Sequence, residues 1–182
     1  MTTYISILRG INVGGQKLIK MDALRKLYEG LGFQDVLSYI QSGNVIFTGD
    51  DVELCKLEQR ISQQIEKNFG FEAPVIVLTV DKLKDIIENN PFPTDPNKDL
   101  SFLHVTFLSS TPNHFDPKAI EAKKQKEEAF VFSGDVVYLY CPNGYAKTKL
   151  TNNFLEAKLK VRATTRNWKT TVELLKTAGK IV

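Results

Sequence analysis

Cysteine is scarce in this chain. Cys55 and Cys141 are the only two among 182 residues, they stand in different segments, and they form no CxxC pair. Neither a disulfide framework nor a cysteine zinc site is expected. Reduced thiols in a cytoplasmic protein are the simplest reading. Histidine is as rare: neither His104 nor His114 has metal-ligand spacing to another His, Cys or Asp, so no metal and no cofactor is expected. No apolar run approaches the ~18 residues of a membrane span, and the start, Met1-Thr2-Thr3-Tyr4-Ile5-Ser6, lacks the features of a signal peptide, so no membrane association is expected. The chain contains no Gly-x-Ser-x-Gly, no HExxH and no paired acids on one helix face, and the question of catalysis stays open. What remains, 42% hydrophobic residues with 24 basic and 21 acidic side chains, is ordinary for a globular protein and excludes disorder, collagen or coiled coil as whole-chain descriptions.

The small net charge of +3 hides an asymmetry. Residues 1–90 carry 10 basic and 12 acidic side chains, and residues 91–182 carry 14 and 9. Residues 147–182 hold nine Lys or Arg against Glu156 and Glu173. Such a basic third suits an anionic partner, nucleic acid included, although a solvated helix surface is the commoner origin of such a charge run.

Apolar periodicity reads as a repeat. Thr3 to Ile11 is a strand; Met21, Leu24, Leu27, Tyr28 and Leu31 mark a helix stopped by Gly32. Val36 to Gln41 and Asn44 to Thr48 form a hairpin turning at Ser42-Gly43. Leu54 to Phe69 is a long amphipathic helix closed by Gly70, Pro74 to Val80 is a strand, and Asp81 caps a further helix. The second half repeats this order: strand Ser101 to Leu108, helix Phe115 to Glu128, hairpin Ala129 to Phe132 and Val136 to Cys141, helix Lys149 to Lys160, strand Arg162 to Thr165, and a last helix capped by Asn167. Tyr39-Ile40-Gln41-Ser42-Gly43-Asn44-Val45 lies over Phe130-Val131-Phe132-Ser133-Gly134-Asp135-Val136 at an offset of 91. The expected fold is α+β: two ferredoxin-like halves (β-α-β-β-α-β plus a trailing helix) from an internal duplication, residues 1–90 and 101–182, joined by a linker over 91–100. Val75 to Leu78 and Val136 to Cys141 have no polar side, so both faces of each sheet should be covered, by the other half or by the trailing helices, giving one compact body.

In such a plait the first two strands run the same way, because a helix crosses between them. The loop Arg9-Gly10-Ile11-Asn12-Val13-Gly14-Gly15-Gln16-Lys17 and the hairpin Gln41-Ser42-Gly43-Asn44 then share one end of the sheet. Glycines that bare the backbone, together with Arg9 and Lys17, suit a phosphate, carboxylate or nucleotide. The loop is not a P-loop: Gln16 intrudes and Leu18 replaces the magnesium-binding hydroxyl. In the hairpin, Ser-Gly recurs at Ser133-Gly134 and serves the turn, which leaves Gln41 and Asn44 as contact candidates. A third segment, Thr164-Thr165-Arg166-Asn167-Trp168-Lys169-Thr170, offers Arg166 and Lys169 near a helix start. Trp168 shares a helix face with Val172 and is expected to pack in the core. Tyr145, Lys147 and Lys149 follow Pro142-Asn143-Gly144 and either line a site or stand in solvent.

Arg9 to Gly15, Tyr39 to Val45 and Thr165 to Trp168 together resemble the bacterial family called domain of unknown function 1697, over essentially the whole chain. The resemblance implies two ferredoxin-like halves and implies no activity. The functional expectation is a cytoplasmic protein binding an anionic small ligand, a nucleotide or a phosphorylated metabolite. Its site residues would be Arg9, Asn12, Lys17, Gln41, Asn44, Arg166 and Lys169. Rival readings are an enzyme using Lys17 or a tyrosine as acid or base, nucleic-acid binding through the basic third, and a module for protein interaction. Against nucleic acid, the strands look covered, and Ser42 to Phe47 lacks the basic and aromatic pattern of an RNA-binding plait.

Overall fold

The computed structural model describes residues Met1–Ile181. The first half runs β1 (Thr2–Leu8), α1 (Met21–Gly30), β2 (Gln34–Tyr39), β3 (Asn44–Gly49), α2 (Leu54–Phe69), β4 (Val75–Thr79) and α3 (Val80–Glu88). The second runs β5 (Leu103–Leu108), α4 (Pro117–Lys123), β6 (Ala129–Ser133), β7 (Val136–Tyr140), α5 (Asn152–Leu159), β8 (Ala163–Asn167) and α6 (Trp168–Ala178). The sheets have the orders β2-β3-β1-β4 and β6-β7-β5-β8, and all neighbouring strands are antiparallel. This is the ferredoxin-like plait, present twice. The duplication is visible in matching bonds: Leu8 N–H donates to Gly43 O (2.8 Å) and Arg9 N–H to Pro74 O (3.0 Å), while Leu108 N–H donates to Asp135 O (2.9 Å) and Ser109 N–H to Arg162 O (2.9 Å).

Several elements differ from expectation for local reasons. The cap of α3 is Thr79 rather than Asp81, because the helix starts at Val80 and Thr79 Oγ1 accepts from Lys82 N–H at 3.2 Å. Helix α4 is shorter than the polar stretch around it. Asp116 caps it through Lys118 and Ala119 N–H, and Lys124 turns extended after two turns. Helix α5 likewise begins only where Thr151 can cap Phe154 N–H. Between α3 and β5, Phe92 is buried, and Lys98 Nζ bonds Asp95 at 2.6 Å while lying over the Phe92 and Tyr140 rings.

Contacts group the chain into two units, Met1–Asp85 with Glu173 onward, and Ile86–Val172. In the first, Tyr4, Leu8, Val45, Phe47, Val75 and Val77 form the sheet face under α1 and α2, with Leu24, Leu57, Ile61 and Ile65 packed on it. Phe47 stands at the centre of a ring cluster, 4.4 Å from Phe33, 5.3 Å from Tyr28 and 5.5 Å from Tyr4. The opposite face, with Ile5, Ile7, Ile46, Ile76 and Leu78, is buried as well. In the second unit, Leu108, Val137, Leu139 and Ala163 face Ile120, Leu150, Leu155 and Leu159. On the other face the Tyr138 hydroxyl donates to Ile86 O at 2.8 Å, tying the last turn of α3 to β7. Both sheets are therefore covered on both faces, as their wholly apolar strands require.

One polar contact inside the first core makes a clean test. Tyr28 is fully buried, and its hydroxyl lies 2.7 Å from Ser6 Oγ, which also donates to Val45 O at 3.3 Å. Burial pushes the Tyr28 ionisation far above the usual tyrosine range, opposed only by the Ser6 bond. Ser6→Ala strands the Tyr28 hydroxyl and is expected to cost ~1–3 kcal/mol. Adding Tyr28→Phe removes the stranded group, so the double variant should be no less stable than Ser6→Ala. A urea double-mutant cycle in which the two losses simply add would refute the pairing.

Candidate functional site

Twelve residues, Arg9–Lys20, connect β1 to α1. Within them Gln16 N–H donates to Val13 O (3.1 Å) and Asn12 N–H to Lys17 O (3.1 Å), making a miniature hairpin. Its turn residues Gly14 and Gly15 have φ of +59° and +73°, the sign pattern of a type I′ turn, which two glycines adopt without steric cost. Asn12 and Lys17, at the hairpin's base, are also left-handed (φ +54° and +49°). Asn12 tolerates this better than most residues.

The Asn12 side chain closes the loop. Its Nδ2 donates to Ile19 O (2.9 Å) and to Gln41 O (2.8 Å), and its Oδ1 accepts from Ile19 N–H (2.8 Å). Both ends of the amide are used, and the loop and the β2–β3 hairpin are stapled together. Lys17 Nζ donates to Glu72 O (2.7 Å) and lies over the Phe71 ring, which ties the loop's far side to the α2–β4 connection. Ile11 and Ile19 are buried beneath, and Val13 and Leu18 are exposed.

The hairpin is not the two-residue turn expected at Ser42-Gly43. Tyr39 pairs with Asn44, so the loop is Ile40–Gly43, with Ile40 and Gly43 left-handed. Asn44 is fully buried, and its Nδ2 donates to Tyr39 O (3.1 Å) and Ser42 Oγ (2.9 Å). In the second half Ser133 pairs with Val136 across Gly134-Asp135, a true two-residue turn. By strand register Gly43 matches Asp135, not Gly134. The longer first hairpin projects Ile40 and Gln41 into solvent beside the Asn12 staple.

The structure thus brings Asn12, Gln41 and Asn44 to one end of the first sheet, where Arg9 and Lys17 also lie. Arg9 is half-buried, Lys17 and Gln41 are exposed, and the two asparagines hold backbone. Arg166 and Lys169 belong to the second unit. There Asn167 caps α6, accepting from Thr170 N–H at 2.8 Å, as its sequence position implies, and Trp168 is half-buried. Arg166 Nη1 donates to Thr165 O at 3.1 Å. Burial lowers the Arg166 pKa to about 10, with Tyr145 acting the other way, so the guanidinium stays charged at neutral pH. What the sequence did not signal is the part played by backbone: Ile19, Gln41 and Glu72 position the site through their peptide groups, which any residue type supplies. Among the described residues no group of three His, Cys, Asp or Glu side chains could hold a metal ion, and no helix is long and apolar enough to cross a membrane. A groove of ≈ 490 Å³ lies elsewhere, lined by Pro117, Lys118, Glu121, Ala122 and Phe130 on the second unit.

Comparison with known proteins agrees with this architecture. The family described as "Protein of unknown function (DUF1697)" matches residues 1–138, which include both loops of the first-half site, and the chain belongs to that family. The Thr165–Trp168 segment lies beyond the matched residues. The solved structure of conserved bacterial protein SP0830 from Streptococcus pneumoniae is similar at 25% identity and a TM-score of 0.71, covering 97% of this chain and 98% of that one. No curated protein matches the chain.

Proposed function

We propose that this DUF1697 protein binds an anionic small ligand, a nucleotide or a phosphorylated metabolite, at the stapled end of its first unit. The observation that carries the reading is the triple bond set of the Asn12 side chain. It fixes a glycine-rich loop against a hairpin, and it does so at an edge that also gathers Arg9, Lys17 and Gln41. A loop prearranged in this way loses little conformational freedom on binding. Arg9 and Lys17 supply charge, and Gln41 supplies an amide. The exposed Gly14 and Gly15 let a ligand approach the backbone. Asn12 and Asn44 act as positioning residues. Arg166 and Lys169, on the second unit, are not needed for this site. A cytoplasmic setting fits the two free thiols, Cys55 exposed and Cys141 buried.

A thermal-shift screen against nucleotides, phosphorylated metabolites and short RNAs, at low and high salt, tests this. A ligand present at 100 times its dissociation constant adds ~2.7 kcal/mol to stability. The expected result is a shift with a small phosphorylated molecule that survives salt and is lost in Arg9→Ala. If only RNA responds, and its effect fades steeply with salt, the basic C-terminal third is the binding surface and the small-ligand reading fails.

A further inference from the structure

An uncovered sheet edge is a row of unpaired N–H and C=O groups that another chain can join. The two sheets end in the four edge strands β2, β4, β6 and β8, and three of them carry a device against such pairing. β2 is broken by a register shift between Gln34 and Leu37, with Asp35 left-handed at φ +50°. On β4 the Val77 N–H donates to Glu58 Oε1 of α2 at 2.9 Å. On β8, the corresponding edge of the other sheet, the Ala163 N–H donates to Glu156 Oε1 of α5 at 2.9 Å. β6 has none of these. Its residues, Ala129-Phe130-Val131-Phe132-Ser133, include no charge and no proline, and all five pair with β7 in unbroken register.

That register says which groups are free. Ser133 and Val136 flank a two-residue turn and exchange hydrogen bonds, so by the alternation of an antiparallel pair Val131 and Ala129 also bond toward β7. The N–H and C=O of Phe130 and Phe132 therefore point away from β7, and among the described residues they have no partner. The helix beside this edge leaves space as well. In the first unit α1 has ten residues and buries Leu24, Leu27 and Tyr28; its counterpart α4 has seven and buries Ile120 alone. Between α4 and β6 runs the groove of ≈ 490 Å³, lined by Phe130 from the strand and by Pro117, Lys118, Glu121 and Ala122 from the helix. Glu121 is held by Lys124 at 3.1 Å, and Lys118 has no acidic partner among the described residues. The groove thus combines apolar walls with an uncompensated cation beside a free strand edge.

We propose that β6 is a docking edge for an extended acidic peptide of another protein, which adds to the second sheet as a fifth strand. Main-chain bonds to Phe130 and Phe132 hold it, an apolar side chain fills the groove between α4 and β6, and a carboxylate meets Lys118. The apolar and acidic residues stand two apart in the peptide, because alternate residues of a strand share a face. A second copy of this chain suits the edge less well, since β6 has no acidic residue to offer Lys118.

The probe is the peptide acetyl-Thr-Phe-Thr-Glu-Thr-Phe-Thr-amide, which reads the same in both directions and so fits a parallel or an antiparallel partner. Added to the full chain, it should slow hydrogen exchange at the Phe130 and Phe132 amides. With a fluorescent label it should bind saturably, and the version with Lys in place of Glu should bind about fivefold more weakly, the scale of one exposed ion pair. Lys118→Glu should reverse that preference, and Ala122→Phe should fill the groove and abolish binding of both peptides. Residues 118 and 122 are exposed, so neither variant disturbs the core. Phe130 and Phe132 amides that exchange no more slowly with the Glu peptide overturn the proposal, as does a preference that ignores the charge at residue 118. If the two amides are already protected in the free chain, increasingly so with its concentration, β6 pairs with a second copy and the acidic-peptide reading fails.

Discussion

Gly43→Ala should cost about 2–5 kcal/mol of stability, while Gly134→Ala, in the hairpin of the other half, should cost only about 1–2 kcal/mol. Both glycines are left-handed, at φ +80° and +61°, so both variants bear the strain of placing an L side chain there. The surroundings separate them. A Cβ on Gly134 meets nothing within 4 Å. A Cβ on Gly43 would lie 2.8 Å from Leu8 Cβ and 2.8 Å from Ile11 Cδ1. Ile11 could swing its terminal methyl aside, but Leu8 Cβ is fixed to a central strand whose N–H donates to Gly43 O. Relief therefore requires moving the hairpin away from β1. Urea unfolding of the two variants beside the wild type measures the difference. Equal losses would mean that the close approach of hairpin and strand is not maintained in solution.

That pair of glycines also marks where the sequence stops being legible. Ser42-Gly43 and Ser133-Gly134 look equivalent in the letters, yet strand register sets Gly43 against Asp135. The first hairpin has two more loop residues, and an apolar alternation that continues through Ile40 does not reveal where pairing ends. Elements with strong periodicity and a clear stop were legible: α2 runs Leu54–Phe69 with Gly70 left-handed at φ +78°, matching its apolar spacing and terminal glycine. The duplicated plait followed from the repeated order of such elements. Helix α4 was not legible at its true length, because a run rich in Lys and Glu has good helix propensity but only Ile120 is buried to hold it. The site was legible in part. Glycines and cations in one loop point to an edge, but the residues that hold the loop do so through peptide groups.

Asn12→Ala should remove ligand binding at the first unit as fully as Arg9→Ala does, though residue 12 contributes no charge. The substitution deletes three hydrogen bonds and leaves an alanine at φ +54°. At about 1 kcal/mol per bond plus the left-handed penalty, the loss is about 3–5 kcal/mol if the loop stays in place. Since the loop is exposed, it can instead open and hydrate, and the global loss then falls below that figure while the stapled geometry disappears. Hydrogen exchange distinguishes these outcomes: the Ile19 amide, which donates to Asn12 Oδ1, should lose protection in the variant while the β1 amides keep theirs. Asn12→Asp is the sharper version. Its carboxylate can still accept from Ile19 N–H, but it faces the carbonyls of Ile19 and Gln41, where Nδ2 had donated. The charged form is repelled, so the folded-state pKa is raised above the ordinary ~3.9 of aspartate. The sign follows from linkage: across the interval between the two pKa values the folded state binds more protons than the unfolded state, and stability falls as pH rises. The variant should therefore approach the wild type near pH 4 and fall behind it at pH 7. If Asn12→Asp lags by the same amount at both pH values, the two carbonyls do not face residue 12 in solution, and the stapled loop cannot be the basis of binding.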